Sequence, residues 1–153
     1  MDFNGKTVFI TGGSRGIGLA IVKKLASKGA NIIIAAKTTE PNPNLPGTIY
    51  SAAKEIEEIG GTCLPVPCDI RFENQLTTAV EQGVKKFGGI DICINNASAV
   101  APLPTEATQM KRYDLMQEIN TRGTFLTSKL CLPYLKKSTH AHILTLSPPL
   151  DID

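Results

Sequence analysis

The sequence predicts an α/β domain in which a doubly wound, all-parallel sheet lies between two layers of helices. Short runs rich in Val, Ile, Leu or Cys alternate with longer segments of helical periodicity, which is typical of repeated β-α-β units. A glycine-rich turn directly follows the first run and opens the first helical segment. The 153 residues correspond to one domain and suffice for a hydrophobic core without disulfides or metal.

Five strands and four helices are predicted in alternation. The strands are expected at residues 7–11, 31–36, 62–67, 90–95 and 141–147. The helices are expected at residues 17–28, 48–59, 73–87 and about 109–137. The first three helices run into Gly29, Gly60 and Gly88, and glycine is the preferred residue beyond a helix C-terminus. Residues 40–47 contain three prolines and are predicted to form a loop after the second strand.

The composition excludes several classes of protein. Sixteen basic and fourteen acidic residues leave a formal net charge of +2, too balanced for a nucleic-acid or membrane-surface footprint. The longest strongly apolar run, residues 32–36, is far shorter than the ~20 residues that span a bilayer. The N-terminus has no signal-peptide pattern, and the four cysteines lack C-x-x-C spacing. We therefore expect an intracellular protein with buried, reduced thiols, no membrane span and no metal site.

The turn at residues 11–18 reads Thr-Gly-Gly-Ser-Arg-Gly-Ile-Gly and is the most informative motif of the chain. Glycine permits unusual backbone angles, and its missing Cβ lets main-chain N–H groups approach a pyrophosphate at the positive end of a helix. The strand before the turn and the amphipathic helix after it supply the context that such a motif requires. A Rossmann-like dinucleotide site is expected, with cofactor contacts from Gly12, Gly13, Ser14, Arg15, Gly16, Ile17 and Gly18.

This turn resembles the Thr-Gly-x-x-x-Gly-x-Gly motif of the short-chain dehydrogenase/reductase family. A second match is Asn95-Asn96-Ala97-Ser98, which follows the fourth predicted strand where the family has Asn-Asn-Ala-Gly. Ser98 in place of Gly is a departure from the family pattern, although both residues are small. The resemblance implies a doubly wound domain that binds a nicotinamide dinucleotide.

Two further matches lie in register with the first two. Asp69 and Ile70 follow the third predicted strand where the adenine-contacting Asp of the family lies, and Asn120 lies in the long helix where the family has a catalytic Asn. The resemblance covers the whole chain and implies cofactor contacts from Asp69, Ile70, Asn95 and Ala97.

The end of the second strand favours NADP over NAD. In NAD-specific dinucleotide folds a carboxylate at this position binds the adenosine ribose and would repel a 2′-phosphate. Here that position is Ala36, and Lys37 follows it. Together with Arg15 of the glycine-rich turn, Lys37 could bind a 2′-phosphate without an opposing acid. The alternative is that both cations are solvated surface charges.

Carbonyl reduction by a nicotinamide requires a group that protonates the developing alkoxide. In the family this group is a Tyr with a Lys four residues later. The only such spacing in this chain, Tyr50 to Lys54, precedes the third strand and is rejected, because the family pair follows the fifth. We expect the domain to be truncated, with its catalytic pair beyond Asp153.

Asn120 and Ser147 are the two catalytic candidates within the chain. In the family the Asn holds a water that links the Lys to solvent, and Asn is otherwise unfavourable within a helix. Ser147 ends the fifth strand where the family has a hydroxyl that positions the carbonyl. The usual serine aligns with Pro148 in a direct count, so the alternative is that Ser147 is only a turn residue.

The resemblance implies an oxidoreductase that interconverts a carbonyl and an alcohol on a small, lipid-like substrate, and the end of the second strand favours NADP as its cofactor. The alternative function is a nucleotide-binding or interaction module that transfers no hydride, because the Tyr and Lys pair is missing. Residues 109–137 carry more apolar side chains than burial against the sheet explains, and in the family this helix often forms a dimer interface. The resemblance also implies a peroxisomal or mitochondrial location.

Overall fold

The sheet has five parallel strands in the order β3-β2-β1-β4-β5, which confirms the predicted doubly wound fold. The computed structural model describes residues 2–43 and 45–148. The strands are β1 (Thr7–Thr11), β2 (Asn31–Ala36), β3 (Thr62–Pro67), β4 (Ile92–Asn95) and β5 (His142–Thr145). The first three have the predicted bounds, whereas β4 begins later than predicted and β5 is shorter at both ends.

Helices lie between consecutive parallel strands, as β-α-β units require. They are α1 (Gly16–Ala26), α2 (Ile49–Glu58), α3 (Glu73–Phe87), α4 (Met110–Met116) and α5 (Thr124–Leu135). A capping box starts α2, in which Thr48 and Ser51 exchange side-chain to main-chain hydrogen bonds of 2.9 and 3.0 Å. Gly88, with a φ of 85°, ends α3 in the left-handed conformation that glycine favours.

Alternate side chains of each central strand pack into two separate hydrophobic cores, one on each face of the sheet. Ile32 and Ile34 of β2 pack on the side of α1 and α2. Ile33 of the same strand packs on the opposite side, among residues of α3 and α5. Because β1 and β2 are buried on both faces, the sheet is a rigid platform whose carboxyl edge is the natural place for a ligand.

The helix predicted at about residues 109–137 is observed as one continuous helical run from Met110 to Leu135, but it is not α-helical throughout. The residues Gln117–Gly123, which we call the π segment, form a π-helix between α4 and α5. Single π turns inside α-helices are frequent at functional sites because they change which side chains share a face. The hydroxyl of Thr127 donates to the carbonyl of Gly123 at 2.8 Å, so a side chain satisfies an oxygen at the end of the wider turn.

All four cysteines are buried and free, as predicted. Burial raises the pKa of the Cys63 and Cys68 thiols to about 12, so these thiols stay protonated at neutral pH. Within residues 2–43 and 45–148, no helix has the length and hydropathy to cross a bilayer. Over the same residues, no three His, Cys, Asp or Glu side chains are grouped as metal ligands.

Candidate functional site

A cleft of about 490 Å³ lies at the carboxyl edge of the sheet, lined by loops that follow β1, β2, β3 and β4. This edge, where strand order reverses, is where doubly wound sheets bind ligands. Ten of the predicted cofactor residues line the cleft: Gly12, Ser14, Arg15, Gly16, Ile17, Gly18, Lys37, Asp69, Ile70 and Ala97. The sheet therefore brings together residues that are up to 85 positions apart in sequence, as the hydrogen bond between Thr11 and Asn96 illustrates.

The turn after β1 presents an uncapped helix N-terminus to the cleft. Gly16, the first residue of α1, has a φ of +54°, and a Cβ built on it would meet nothing within 4 Å. Arg15 occupies the N-cap position without a side-chain cap hydrogen bond, and the first turn contains no acidic residue. The main-chain N–H groups of this turn thus have no side-chain competitor for an anion, and they fit a pyrophosphate.

Gly12 and Gly18 allow this turn to pack against the loop after β4. A Cβ on Gly18 would lie 2.6 Å from the Asn96 side-chain nitrogen, and a Cβ on Gly12 would lie 2.9 Å from the Cα of Ala97. Asn96 Nδ2 donates to the carbonyls of Thr11 and Gly12, at 3.0 and 2.8 Å. These two glycines are therefore required by close packing within the protein as well as by the cleft.

Two of the predicted cofactor residues, Gly13 and Asn95, do not line the cleft. A Cβ on Gly13 would lie 2.9 Å from Ile10 Cγ2, so this glycine packs on the sheet. The Asn95 amide is buried and donates to the hydroxyls of Ser128 and Thr145, at 3.0 and 3.3 Å, which joins β4 to α5 and β5. Its Oδ1 has no hydrogen-bond partner among the described residues. Their contacts with a cofactor stay a prediction.

Two cations lie where β2 ends. Lys37 directly follows the strand and lines the cleft with Arg15 and Thr38. Arg15 Nη2 donates to the Thr38 hydroxyl at 2.6 Å, which holds the guanidinium on the Lys37 side of the glycine-rich turn. Ala36 ends the strand where a ribose-binding carboxylate would stand. The arrangement provides two positive charges and a hydroxyl for an anionic group.

Among the described residues, Asp69 is the only carboxylate that lines the cleft, and it is already paired. Arg71 Nη2 donates to Asp69 Oδ2 at 2.6 Å, and Arg71 Nε lies within 3.1 Å of both carboxylate oxygens. The hydrogen bonds from Arg71 lower the pKa of Asp69 against the opposing effect of burial, and the charge of Lys37 contributes in the same direction. Asp69 is therefore ionised, and Arg71 offsets the charge that it brings to the cleft.

The two catalytic candidates lie outside the lining of the cleft. Asn120, in the π segment, forms two hydrogen bonds with the main chain of Ala99, which does line the cleft. Ser147 is exposed, and its hydroxyl donates to the carbonyl of Pro148 at 2.8 Å, a contact typical of a turn. Their catalytic roles stay predictions.

The rejected Tyr50 and Lys54 lie on α2, away from the cleft lining. Tyr50 is exposed, and Lys54 lies 3.9 Å from Glu58 one turn further along the helix. A surface location for both residues agrees with the sequence-based rejection.

Nine residues of the cleft lining were not among the predicted cofactor residues: Ala35, Ala36, Thr38, Cys68, Asn96, Ser98, Ala99, Leu115 and Ile119. Thr38 lies just beyond β2, and Asn96 was known only as part of a motif. Leu115 and Ile119 also line the cleft, although helical spacing assigned them to the core. Periodicity identifies an apolar face and cannot distinguish a cleft from a core.

Comparison with known proteins agrees with this geometry. A model of the short chain dehydrogenase family matches residues 6–148. Hydroxysteroid dehydrogenase-like protein 2 of Xenopus laevis is 62% identical over 149 residues, and the human protein of that name is 61% identical. Each match covers 97% of this chain and 36% of the relative, so the chain spans about a third of the length of these relatives.

Solved structures show the same fold. A short chain dehydrogenase from Mycobacterium thermoresistibile superposes with a TM-score of 0.95 at 54% identity, over 99% of this chain and 54% of that one. Carveol dehydrogenase from Mycobacterium avium, solved in complex with NAD, superposes with a TM-score of 0.81 at 26% identity, over 93% of this chain and 54% of that one. The sheet, the glycine-rich turn and the family match together show that the chain belongs to the short-chain dehydrogenase family.

Proposed function

We propose that this chain binds NADP in the cleft and supplies the cofactor-binding part of an oxidoreductase that interconverts a carbonyl and an alcohol. Bound there, the nicotinamide would give or accept the hydride. The observation that carries the cofactor assignment is the end of β2, where Ala36 replaces an acid and Lys37 and Arg15 line the same wall.

Each part of the cleft suits one part of the dinucleotide. The uncapped N-terminus of α1 would bind the pyrophosphate. Lys37, Arg15 and the Thr38 hydroxyl would bind the 2′-phosphate, since two cations and a donor match a dianion. Asp69 and Ile70 would then contact the adenine, at the same end of the cleft as Lys37.

Exposed apolar residues favour a lipid-like substrate. Ile17 lines the cleft and is 68% exposed. The loop that leaves the cleft at Ala99 continues into Val100, which is 74% exposed, and then into the exposed Leu103. Large apolar side chains at the mouth of a cleft are typical of sites for apolar ligands.

A second candidate function is nucleotide binding without hydride transfer by this chain. It is favoured by the position of the tyrosines, since none of the three lines the cleft within the described residues. Both candidate functions predict that the chain binds NADP, and only the first predicts turnover of a carbonyl or an alcohol.

We also propose that copies of the chain associate through the region of residues 109–137. Met110 on α4 is 65% exposed and Phe125 on α5 is 70% exposed. Apolar side chains of this size lose solvent contact when two such helices pack together. A peroxisomal or mitochondrial location stays a prediction.

The proposed function is tested by titrating the purified chain with NADPH and NADH and following cofactor fluorescence. We expect the wild type to bind NADPH more tightly than NADH, and Lys37→Ala and Arg15→Ala to remove the difference by weakening NADPH alone. Lys24→Ala, which removes an exposed cation from the last turn of α1, is the charge-matched control. Equal affinity of the wild type for both nucleotides would contradict the NADP assignment, and absence of binding would contradict both candidate functions. Consumption of NADPH with a carbonyl compound would exclude the second.

A further inference from the structure

The π segment contacts the loop that follows β3 through three of its residues. Arg122 Nη1 donates to the main-chain carbonyl of Arg71 at 2.7 Å. Glu118 Oε2 lies 3.7 Å from Arg71 Nη1. Gly123 lets the side chain of Ile70 approach, because a Cβ there would lie 2.6 Å from Ile70 Cδ1. Arg122 and Gly123 lie four and five positions after Glu118, and the wider i to i+5 turn of a π-helix brings such residues to one face.

These contacts act on the end of the cleft assigned to adenosine. Ile70 and Asp69 line the cleft, and Arg71 holds the Asp69 carboxylate. Arg122 fixes the main chain of Arg71 and thereby the position from which its guanidinium reaches Asp69. An α-helical turn in place of the π turn would rotate Arg122 and Gly123 relative to Glu118 and break this set of contacts.

The same segment holds the loop after β4 through a different residue. Asn120 binds the main chain of Ala99, and Ile119 lies between the two contacts and lines the cleft. The two loops therefore have separate attachments within one helical turn, and a substitution in one attachment can be made without removing the other.

We propose that Arg122 is a positioning residue for the adenosine half of the bound dinucleotide. It acts through the Arg71 carbonyl and has no contact with the cofactor itself. This inference rests on the proposed NADP binding and goes beyond it, because it assigns the ordering of residues 69–71, in the loop after β3, to a hydrogen bond from the π segment.

The proposal is tested with two half-cofactors on the full chain, each competing with NADPH. The compound 2′,5′-ADP carries the adenosine half, and reduced nicotinamide mononucleotide carries the other half. We expect Arg122→Ala to raise the Kd of 2′,5′-ADP about five- to tenfold, as expected for one lost hydrogen bond from a charged donor, and to leave the mononucleotide within about twofold. Arg122→Lys keeps a cationic donor and should stay within about threefold of the wild type for both compounds.

A charge-matched control distinguishes loss of the Arg122 hydrogen bond from loss of the long-range attraction between a cation and the anionic nucleotide. Arg112 is an exposed cation on α4. Within the described part of the chain, its side chain makes no hydrogen bond to residues 69–71. Arg112→Ala should therefore leave the Kd of 2′,5′-ADP within about twofold of the wild-type value. Amide hydrogen exchange supplies a readout without nucleotide: it should accelerate at Ile70 and Arg71 in Arg122→Ala and be unchanged in Arg112→Ala.

The outcomes distinguish this inference from the proposed function. An unchanged affinity for 2′,5′-ADP in Arg122→Ala, or equal weakening of both half-cofactors, would overturn the positioning role while leaving NADP binding intact. Equal weakening by Arg112→Ala would assign the effect to charge and would also overturn it. Failure of the wild type to bind NADPH would overturn the proposed function, and the positioning role with it.

Discussion

The side-chain amide of Asn120 forms a pair of hydrogen bonds with the main-chain N–H and C=O of Ala99, as a residue of a neighbouring β-strand would. Nδ2 donates to the Ala99 carbonyl and Oδ1 accepts from the Ala99 N–H, both at 2.9 Å. Only a side chain with a donor and an acceptor side by side makes both bonds, which explains why Asn occurs in the middle of a helix. The pair ties the π segment to the loop after β4.

Replacing Asn120 with Asp should destabilise the protein. The variant keeps an acceptor for the Ala99 N–H but places carboxylate oxygen against the Ala99 carbonyl, so the free energy of unfolding should fall by about 1–2 kcal/mol. Urea unfolding measures the change. Gln82→Glu, at an exposed position of α3, introduces the same charge without the contact and is the control. Equal stability of the two variants would show that the Asn120 pair contributes nothing.

Replacing Gly18 with Ala should damage the cleft and the fold together. The new methyl group would lie 2.6 Å from the carbonyl oxygen of Gly12, a main-chain atom that cannot move without displacing the glycine-rich turn. We expect a loss of about 1–3 kcal/mol in the free energy of unfolding, together with loss of NADPH binding. Gly89→Ala is the matched control, since a Cβ there meets nothing within 4 Å, and it should change stability by less than about 0.5 kcal/mol. Unimpaired binding by the Gly18 variant would contradict the packing described for this turn.

Replacing Ala36 with Asp should reverse the cofactor preference. A carboxylate at the end of β2 could accept hydrogen bonds from an adenosine ribose and would repel a 2′-phosphate beside Lys37. The ratio of the Kd values for NADPH and NADH, measured by fluorescence titration, should change in favour of NADH. Ala36→Asn has nearly the same size without the charge and should still prefer NADPH. If the Asp variant kept the wild-type ratio, the end of β2 would not be the 2′ site.

The ion pair of Asp69 and Arg71 should make stability depend on acidic pH. Because the pKa of Asp69 is lowered in the folded protein, its contribution is present above the unfolded value near 4 and is lost as the pH falls through the folded value. Asp69→Asn should therefore be less stable than the wild type at pH 7, and the difference should shrink on acidification below about pH 4. Urea unfolding at several pH values tests this. Glu81→Gln, which removes an exposed carboxylate in no ion pair among the described residues, should show no such convergence.

The sheet could be predicted because its signals are local. The run from Asn31 to Ala36 is apolar and β-branched, and it gave correct bounds for β2. The glycine-rich turn identified the site because strand, turn and helix follow one another without interruption.

The rest depended on contacts between distant residues. Helical spacing through Asn120 predicted an ordinary helix, since nothing near it in sequence reveals that its amide pairs with Ala99. Gly13 and Gly18 look equivalent in the motif, yet one packs on Ile10 and the other on Asn96. The contacts of Asn120 and Gly18 depend on the loop after β4, which lies beside β1 in the folded sheet. The residues on either side of Asn120 or Gly18 in the sequence carry no information about that loop.

Binding of the 2′-phosphate by Lys37 and Arg15 can be tested directly with the ³¹P NMR spectrum of NADP bound to the chain, followed as a function of pH. A free phosphate monoester has a second pKa of about 6, and two neighbouring cations favour the dianion. Since Lys37 and Arg15 line the same wall of the cleft, we expect the 2′-phosphate of the complex to titrate at a lower pH than that of free NADP, and Lys37→Ala to reduce the difference. A bound 2′-phosphate that titrates like the free one would show that these two cations do not bind it.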